Sequence, residues 1–268
     1  MKTKVFTLCS ACSALLFLNS CFSFQVIQGD GDLVTEEISI SDYSGIQTAN
    51  SSTIDITYTQ SDGAAGLSLV TDRNIYDKYD IRVVEDELKI RPKKEYEHAL
   101  FKPTSFIVTT NSAHLRKIDI AGSASFTVNN PLHTDELDID LAGSGKINLN
   151  DTLTAERIDI DIAGSGTLNA PAIEGKSFDG DIAGSGRLNL GGHLTSASFD
   201  IAGSGTIRAF DLQVEDMECD IAGSGDIEIS VTNSIRADVA GSGRIKYKGE
   251  PQHIQKDILG GGSIRKVD

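Results

Sequence analysis

Eight aspartates recur along the second half of the chain at intervals of 18 to 21 residues: Asp119, Asp140, Asp161, Asp181, Asp200, Asp220, Asp238 and Asp257. Carboxylates fixed at one slot of a repeating unit form a single file once the units stack. Strands stack about 4.8 Å apart, and at that spacing two carboxylates repel by roughly 0.9 kcal/mol in water. Seven such contacts sum to roughly 6 kcal/mol, comparable with the stability of a whole domain. The file therefore demands compensation, and three kinds are available. Basic side chains one corner away (Lys146, Arg187, Arg208, Arg244 and Lys246) would swing across. Backbone N–H groups near the corner would donate to each carboxylate as a turn cap. Cations would bind between rungs as a ladder, since paired carboxylates suit Ca2+. The repeat lacks an Asp inside its glycine loop, unlike the calcium-binding nonapeptide GGxGxDxUx, which argues against a loop-type calcium site.

Two other groups of residues bear on chemistry. The stretch 71–104 gathers Arg73, Tyr76, Tyr79, Lys93, Tyr96 and His98. These types suit a binding loop, and equally a loop that caps the flank of a larger body. The five histidines (His98, His114, His133, His193 and His253) occupy unrelated slots with no repeated partner. No Ser-His-Asp or metal-spaced set stands out, so neither a catalytic residue nor a cofactor is expected.

The amino terminus reads as an address. Lys2 and Lys4 precede an apolar run over 5–18, too short to span a bilayer comfortably, which fits an export signal. It ends in Leu18-Asn19-Ser20-Cys21, which resembles the bacterial lipobox. That resemblance implies cleavage before Cys21, lipid on its sulfur and acylation of the new amino terminus, so the membrane is a partner through the anchor. Residues 1–20 are then a lipoprotein signal and 21–33 the lipidated Cys with its tether. Cys9 and Cys12 leave with the signal and Cys219 falls at an inward slot, so no disulfide framework is expected. Loss of Lys2 and Lys4 leaves 22 basic against 39 acidic residues, a charge of about −17. Such a chain repels nucleic acid and anionic membrane surfaces. With no Trp and only 6% aromatics it also lacks a base-stacking platform.

The elements that position the file are strands. Each Asp sits two residues before the Ala of an AGSG motif, at Ala121, Ala142, Ala163, Ala183, Ala202, Ala222 and Ala240, with a degenerate copy from Leu259. The residue before each Ala is Ile, Leu or Val, and apolar residues recur five and seven positions after it. Period-2 alternation on both sides of a Gly-rich corner means two half-buried strands per unit. Every copy repeats in the same direction, so the units stack in parallel. Gly at both GSG positions is expected to take positive φ and turn the corner. Upstream, 34–40 reads as a strand, and IQTANSSTIDIT (46–57) as a faded copy with Ala49 as its reference. Strands are also expected over 67–70, 80–84, 87–92 and 105–110, with no long helix anywhere. The 72 residues between Ala49 and Ala121 leave room for three or four coils with longer loops. One domain over 34–268 results, irregular over 34–115 and regular over 116–268.

The early SGIQTANSSTIDIT unit, the pair DIRVVEDELKI and the iterated D-[IVL]-A-G-S-G together resemble the GIN domain, also called the autotransporter-adhesin head domain. The resemblance runs from about Val34 to the end. It implies an all-β, right-handed parallel β-helix with coils of about 20 residues, on an exported and often lipid-anchored protein. It carries over no catalytic residues. The expected function is a non-enzymatic envelope protein on the outer membrane that binds a protein or glycan or serves structurally. An alternative is a carbohydrate-binding or carbohydrate-active protein that uses the acidic face, and another is a calcium-stabilised rod. Pectin-cleaving enzymes also set Asp residues on a β-helix, but in local grooves with basic partners on irregular loops, whereas this file is monotonous.

Overall fold

The computed structural model describes residues 25–50 and 53–268. The export signal and Cys21 lie outside these residues. The alternation sends its apolar set inward as expected. Ile120, Leu141, Ile162, Ile182, Ile201, Ile221 and Val239, which precede the reference alanines, are buried. So are Phe126, Ile147, Leu168, Leu188, Ile207, Ile227 and Ile245 beyond the corner. Each such side chain contributes about 1.5–3 kcal/mol by leaving water, and a single core cluster runs the length of the molecule. Successive units pair in parallel with like residue opposite like, so the chain is a parallel β-helix of about eight turns, with no long helix among the described residues. Unequal unit lengths are absorbed away from the motif, at register shifts between Ala170 and Ile173, Asn189 and Gly191, and Ala209 and Gln213.

The two glycines of GSG do different work. The first takes positive φ, 126° at Gly203. A Cβ there would lie 2.6 Å from the Gly184 carbonyl oxygen of the preceding unit, the same oxygen that accepts the Ser204 N–H at 2.8 Å. The second glycine departs from expectation, because its φ is ordinary and only space requires it. A Cβ on Gly205 would lie 2.7 Å from the Ile182 Cγ2 one unit back. Where the preceding unit carries the shorter Thr48 instead of Ile or Leu, this slot holds Ala124, which is buried.

The start of the chain is built differently. Its elements are β1 (Val26–Gln28), β2 (Leu33–Ser39), β3 (Gly45–Asn50), β4 (Asp55–Gln60), β5 (Gly66–Asp72), the one-turn helix α1 (Arg73–Tyr76), β6 (Tyr79–Val84), β7 (Glu87–Pro92), β8 (Leu100–Lys102), β9 (Phe106–Ser112), β10 (Lys117–Gly122) and β11 (Ser125–Val128). β3 pairs directly with β10, Ala49 opposite Ala121, and β4 with β11. The intervening residues therefore insert no coil between these two units, contrary to the three or four for which the spacing left room. The chain instead doubles back. β7 adds to the far side of β3 and β9 to the far side of β4. Antiparallel strands then close that end, with β6 on β7, β5 on β9 and β2 on β5. The β6–β7 hairpin turns through Glu85 and Asp86, both at positive φ (54° and 64°), the backbone of a two-residue primed turn.

Candidate functional site

Register pairing places all eight aspartates in one unbroken file, Asp119 beside Asp140 and so on to Asp238 beside Asp257. The file is capped at its start. Gln47 takes the slot before Asp119 and its Nε2 donates to Asp119 Oδ2 at 2.8 Å. Lys89 holds the same slot one strand further out.

A second acidic file runs beside the first, two residues earlier in each strand: Asp138, Asp159, Asp179 and, after Ser198, Glu218. The sequence reading missed it because Lys117, Ser198 and Arg236 interrupt the column. The signal was present, since alternate residues of one strand share a face. Two of its interruptions supply cations. Lys117 lies 3.7 Å from Asp140, and Arg236 lies 3.5 Å from Glu218. Arg157, two residues before Asp159 on the same strand, reaches it at 3.1 Å. The carboxyls feel the crowding. Desolvation, followed by Asp200, Asp161, Asp159 and Asp179, pushes Asp181 up to about 6. Asp161 and Asp138 are also raised, by desolvation first and by neighbouring carboxylates second. Asp200 is raised in the same way, partly offset by a hydrogen bond from the Asp220 backbone.

The basic residues expected to swing across the corner stay on their own face. Arg244 forms a double hydrogen bond to Asp226 at 2.7 Å, and Lys246 reaches Glu228 at 3.0 Å. Arg187, Arg208 and Lys146 make no ion pair among the described residues. Extended strands hold the two faces apart across the corner, so the rod carries an acidic side next to a basic one. Among the described residues no three acidic, His or Cys side chains converge on a point where a metal ion would sit. The acidic side is grooved towards its C-terminal end. One groove of about 350 Å³ is lined by Asp220, Asp238 and Asp257 with Ala222, Ala240 and the protruding Leu259.

Several of the residues singled out between 71 and 104 meet around Lys78, whose backbone carbonyl accepts the Lys93 N–H at 2.8 Å. Tyr79 is buried, with its ring against Phe101 and Phe106 (centroids 5.1 and 4.7 Å away). Tyr76 packs partly buried on the core. Arg73 pairs with Asp32 at 2.9 Å, and Lys93 Nζ donates to the Asp77 carbonyl at 2.6 Å. Tyr96 lies under Lys78, 5.6 Å from ring centroid to Nζ, and His98 lies exposed at 3.4 Å from Glu97. They brace the closed end of the rod. Sequence reasoning overlooked Asp72, which is wholly buried there. Burial raises its carboxyl, but the Thr104 side chain together with the Gly31 and Thr104 N–H groups that donate to it (2.8 and 2.7 Å) outweigh this and hold it below the usual carboxylate range. Cys219 is a buried core thiol, as its slot implied, with its pKa driven up by desolvation and then by the Asp220, Asp200 and Asp238 charges.

This architecture is shared with known proteins. The family model described as "Putative auto-transporter adhesin, head GIN domain" matches residues 42–170 and 137–251. Among solved structures, a "putative lipid binding protein" from Parabacteroides distasonis is 38% identical, covering 91% of this chain and all of its own, with a TM-score of 0.86. A "putative adhesin" from the same organism is 33% identical, and one from Parabacteroides merdae 29%; each covers 91% of this chain and all of its own, with a TM-score of 0.84. No curated protein matches the chain. With the family model spanning most of the sequence and the whole β-helix shared with these relatives, the chain belongs to the auto-transporter adhesin head GIN-domain family.

Proposed function

We propose that the protein is a non-enzymatic binding rod of the bacterial envelope, held to the outer membrane by lipid on Cys21, and that its acidic side meets a protein or glycan partner. The observation that carries this reading is the pair of adjacent carboxylate files, set on strands and exposed or half-buried. A face of fixed charges at strand spacing suits contact with an extended, cation-bearing surface more than with a small substrate. The description of two relatives as adhesins agrees with it. Two experiments test the proposal. Radiolabelled palmitate should enter the parent chain and not Cys21→Ala, and label in neither would remove the anchor. The purified rod should retain an envelope partner or a glycan-array ligand that a variant with Asp161, Asp181 and Asp200 changed to Asn releases. Equal retention by both would remove the acidic side from the contact.

A further inference from the structure

We infer that the two ends of the β-helix bind each other, so that a second copy of this chain is the partner of its C-terminal edge. The sheet along one side of the rod begins at β2 and passes through β5, β9, β4 and β11. It ends with Arg244–Lys248 paired to the last strand, Ser263–Lys266. β2 and the last strand each pair on one side only among the described residues. Two antiparallel steps, β2 to β5 and β5 to β9, return β2 to the direction of the other strands. Joining the last strand of one copy to β2 of the next therefore continues one parallel sheet.

The side chains at these two edges match. On the last strand, Ile264 and Lys266 take the inward slots opposite Ile245 and Tyr247. The slot of Lys266 is filled in earlier units by Val128, Leu149, Ala170, Leu190, Ala209 and Ile229, all buried. On β2 the inward residues are Val34, Glu36 and Ile38, opposite the buried Thr71, Leu69 and Leu67. In parallel register Val34 covers Ile264 and Glu36 meets Lys266. A charge in an inward slot guards a free edge, because an added strand would bury it unpaired. Opposite charges in matching slots make these two edges acceptable to each other and hostile to an ordinary apolar strand. Within one copy Lys266 reaches only Glu250, which is itself 87% exposed. Lys256 takes another inward slot, after the buried Cys219 and Ala237, and adds a cation to the same end.

The ends agree as wholes. Residues 25–44 carry five acids and no Lys or Arg, whereas 244–268 carry six Lys or Arg and three acids. Exposed apolar side chains also mark both ends, with Leu33 47% exposed at one and Ile254 44% exposed at the other. Such a head-to-tail contact does not close on itself and propagates as a stack.

Sedimentation velocity of the full mature chain carrying Cys21→Ala, from micromolar to millimolar concentration, tests the contact. The expected result is a sedimentation coefficient that grows with concentration. Glu36→Lys alone and Lys266→Glu alone should each weaken association by at least about tenfold. An equimolar mixture of the two variants should restore it, since every junction again pairs opposite charges. Melting curves check that each variant is folded. A parent that stays monomeric throughout, single variants that associate like the parent, or a mixture that fails to recover would each overturn the inference.

Discussion

Replacing Asp181 with Asn removes one charge from the middle of the file, between Asp161 and Asp200. Desolvation and those neighbours lift the Asp181 carboxyl to about 6 from the ordinary 3.8. The folded chain thus holds this proton more tightly than the unfolded chain does. The group favours folding when protonated, and that contribution is lost as pH rises through about 6. Taken alone, a shift of that size is worth about 3 kcal/mol, but Asp181 is exposed, and solvent reduces it to ~1 kcal/mol. Direct repulsion gives the same figure. Its two neighbours at strand spacing, at about 0.9 kcal/mol each in water, together cost about 1.7 kcal/mol, roughly halved by a Debye length of about 8 Å at physiological salt. Asp181→Asn should therefore stabilise the rod by about 1 kcal/mol at pH 7.5, a rise of about 2–4 °C in melting temperature. Near pH 3, below the unfolded value of 3.8, the parent carries a proton at this site in both states and the gain should vanish. Differential scanning calorimetry at the two pH values reads both numbers. A variant that melts below the parent at pH 7.5, or gains equally at both, would refute the repulsive file.

Asp72→Asn should cost about 1–3 kcal/mol, read as a lower urea midpoint, because the amide keeps one acceptor oxygen and turns an NH2 towards the other of two buried backbone N–H groups. Because the folded carboxyl is held below its usual range, the Asp72 contribution is present at neutral pH and lost on acidification through the folded value. Gly203→Ala should destabilise by more than about 2 kcal/mol, since positive φ and the Gly184 carbonyl both oppose a Cβ; a melting curve matching the parent would show that the corner yields. Cys219 should react with Ellman's reagent only on unfolding, with a rate that follows denaturant concentration. Ca2+ and NaCl at equal ionic strength should raise the melting temperature alike, as screening of the file requires. A rise specific to Ca2+ would place the ion between rungs.

The regular half of the fold was legible because one residue type per slot recurs every turn. Ile, Leu or Val before each Ala, and Gly after it, fix the burial, the corner and the register together. The start was not legible, because strand order there departs from sequence order. Nothing in 62–115 says that β7 must lie against β3 on the side away from β10, and the β6–β7 turn uses Glu85 and Asp86 where a Gly would have announced it. The first acidic file could be read directly, since Asp fills its slot without exception. The second needed the third dimension, because only the stacked register makes Asp138, Asp159 and Asp179 one column across the gap at Ser198. The expected charge compensation failed for a geometric reason. Residues four and six positions after the Ala lie around a rigid corner, and each finds a partner on its own side or none.

The doubled-back start also sets an order of events in time. A chain made and exported from its amino terminus completes each regular unit about 20 residues after the one before, a short loop to close. The unit of β3 and β4 must instead wait for two separate arrivals, β7 and β9 on one side and β10 and β11 on the other. Until Ser112 has emerged it has no complete neighbour, and until Val128 it has none on its other side, so its strands stay open to wrong pairings. Zipping then proceeds unit by unit towards the carboxyl end. The slow, error-prone step of assembly is thus confined to the first half of the chain, and adding or removing later units would change the rod's length without changing the difficulty of starting it.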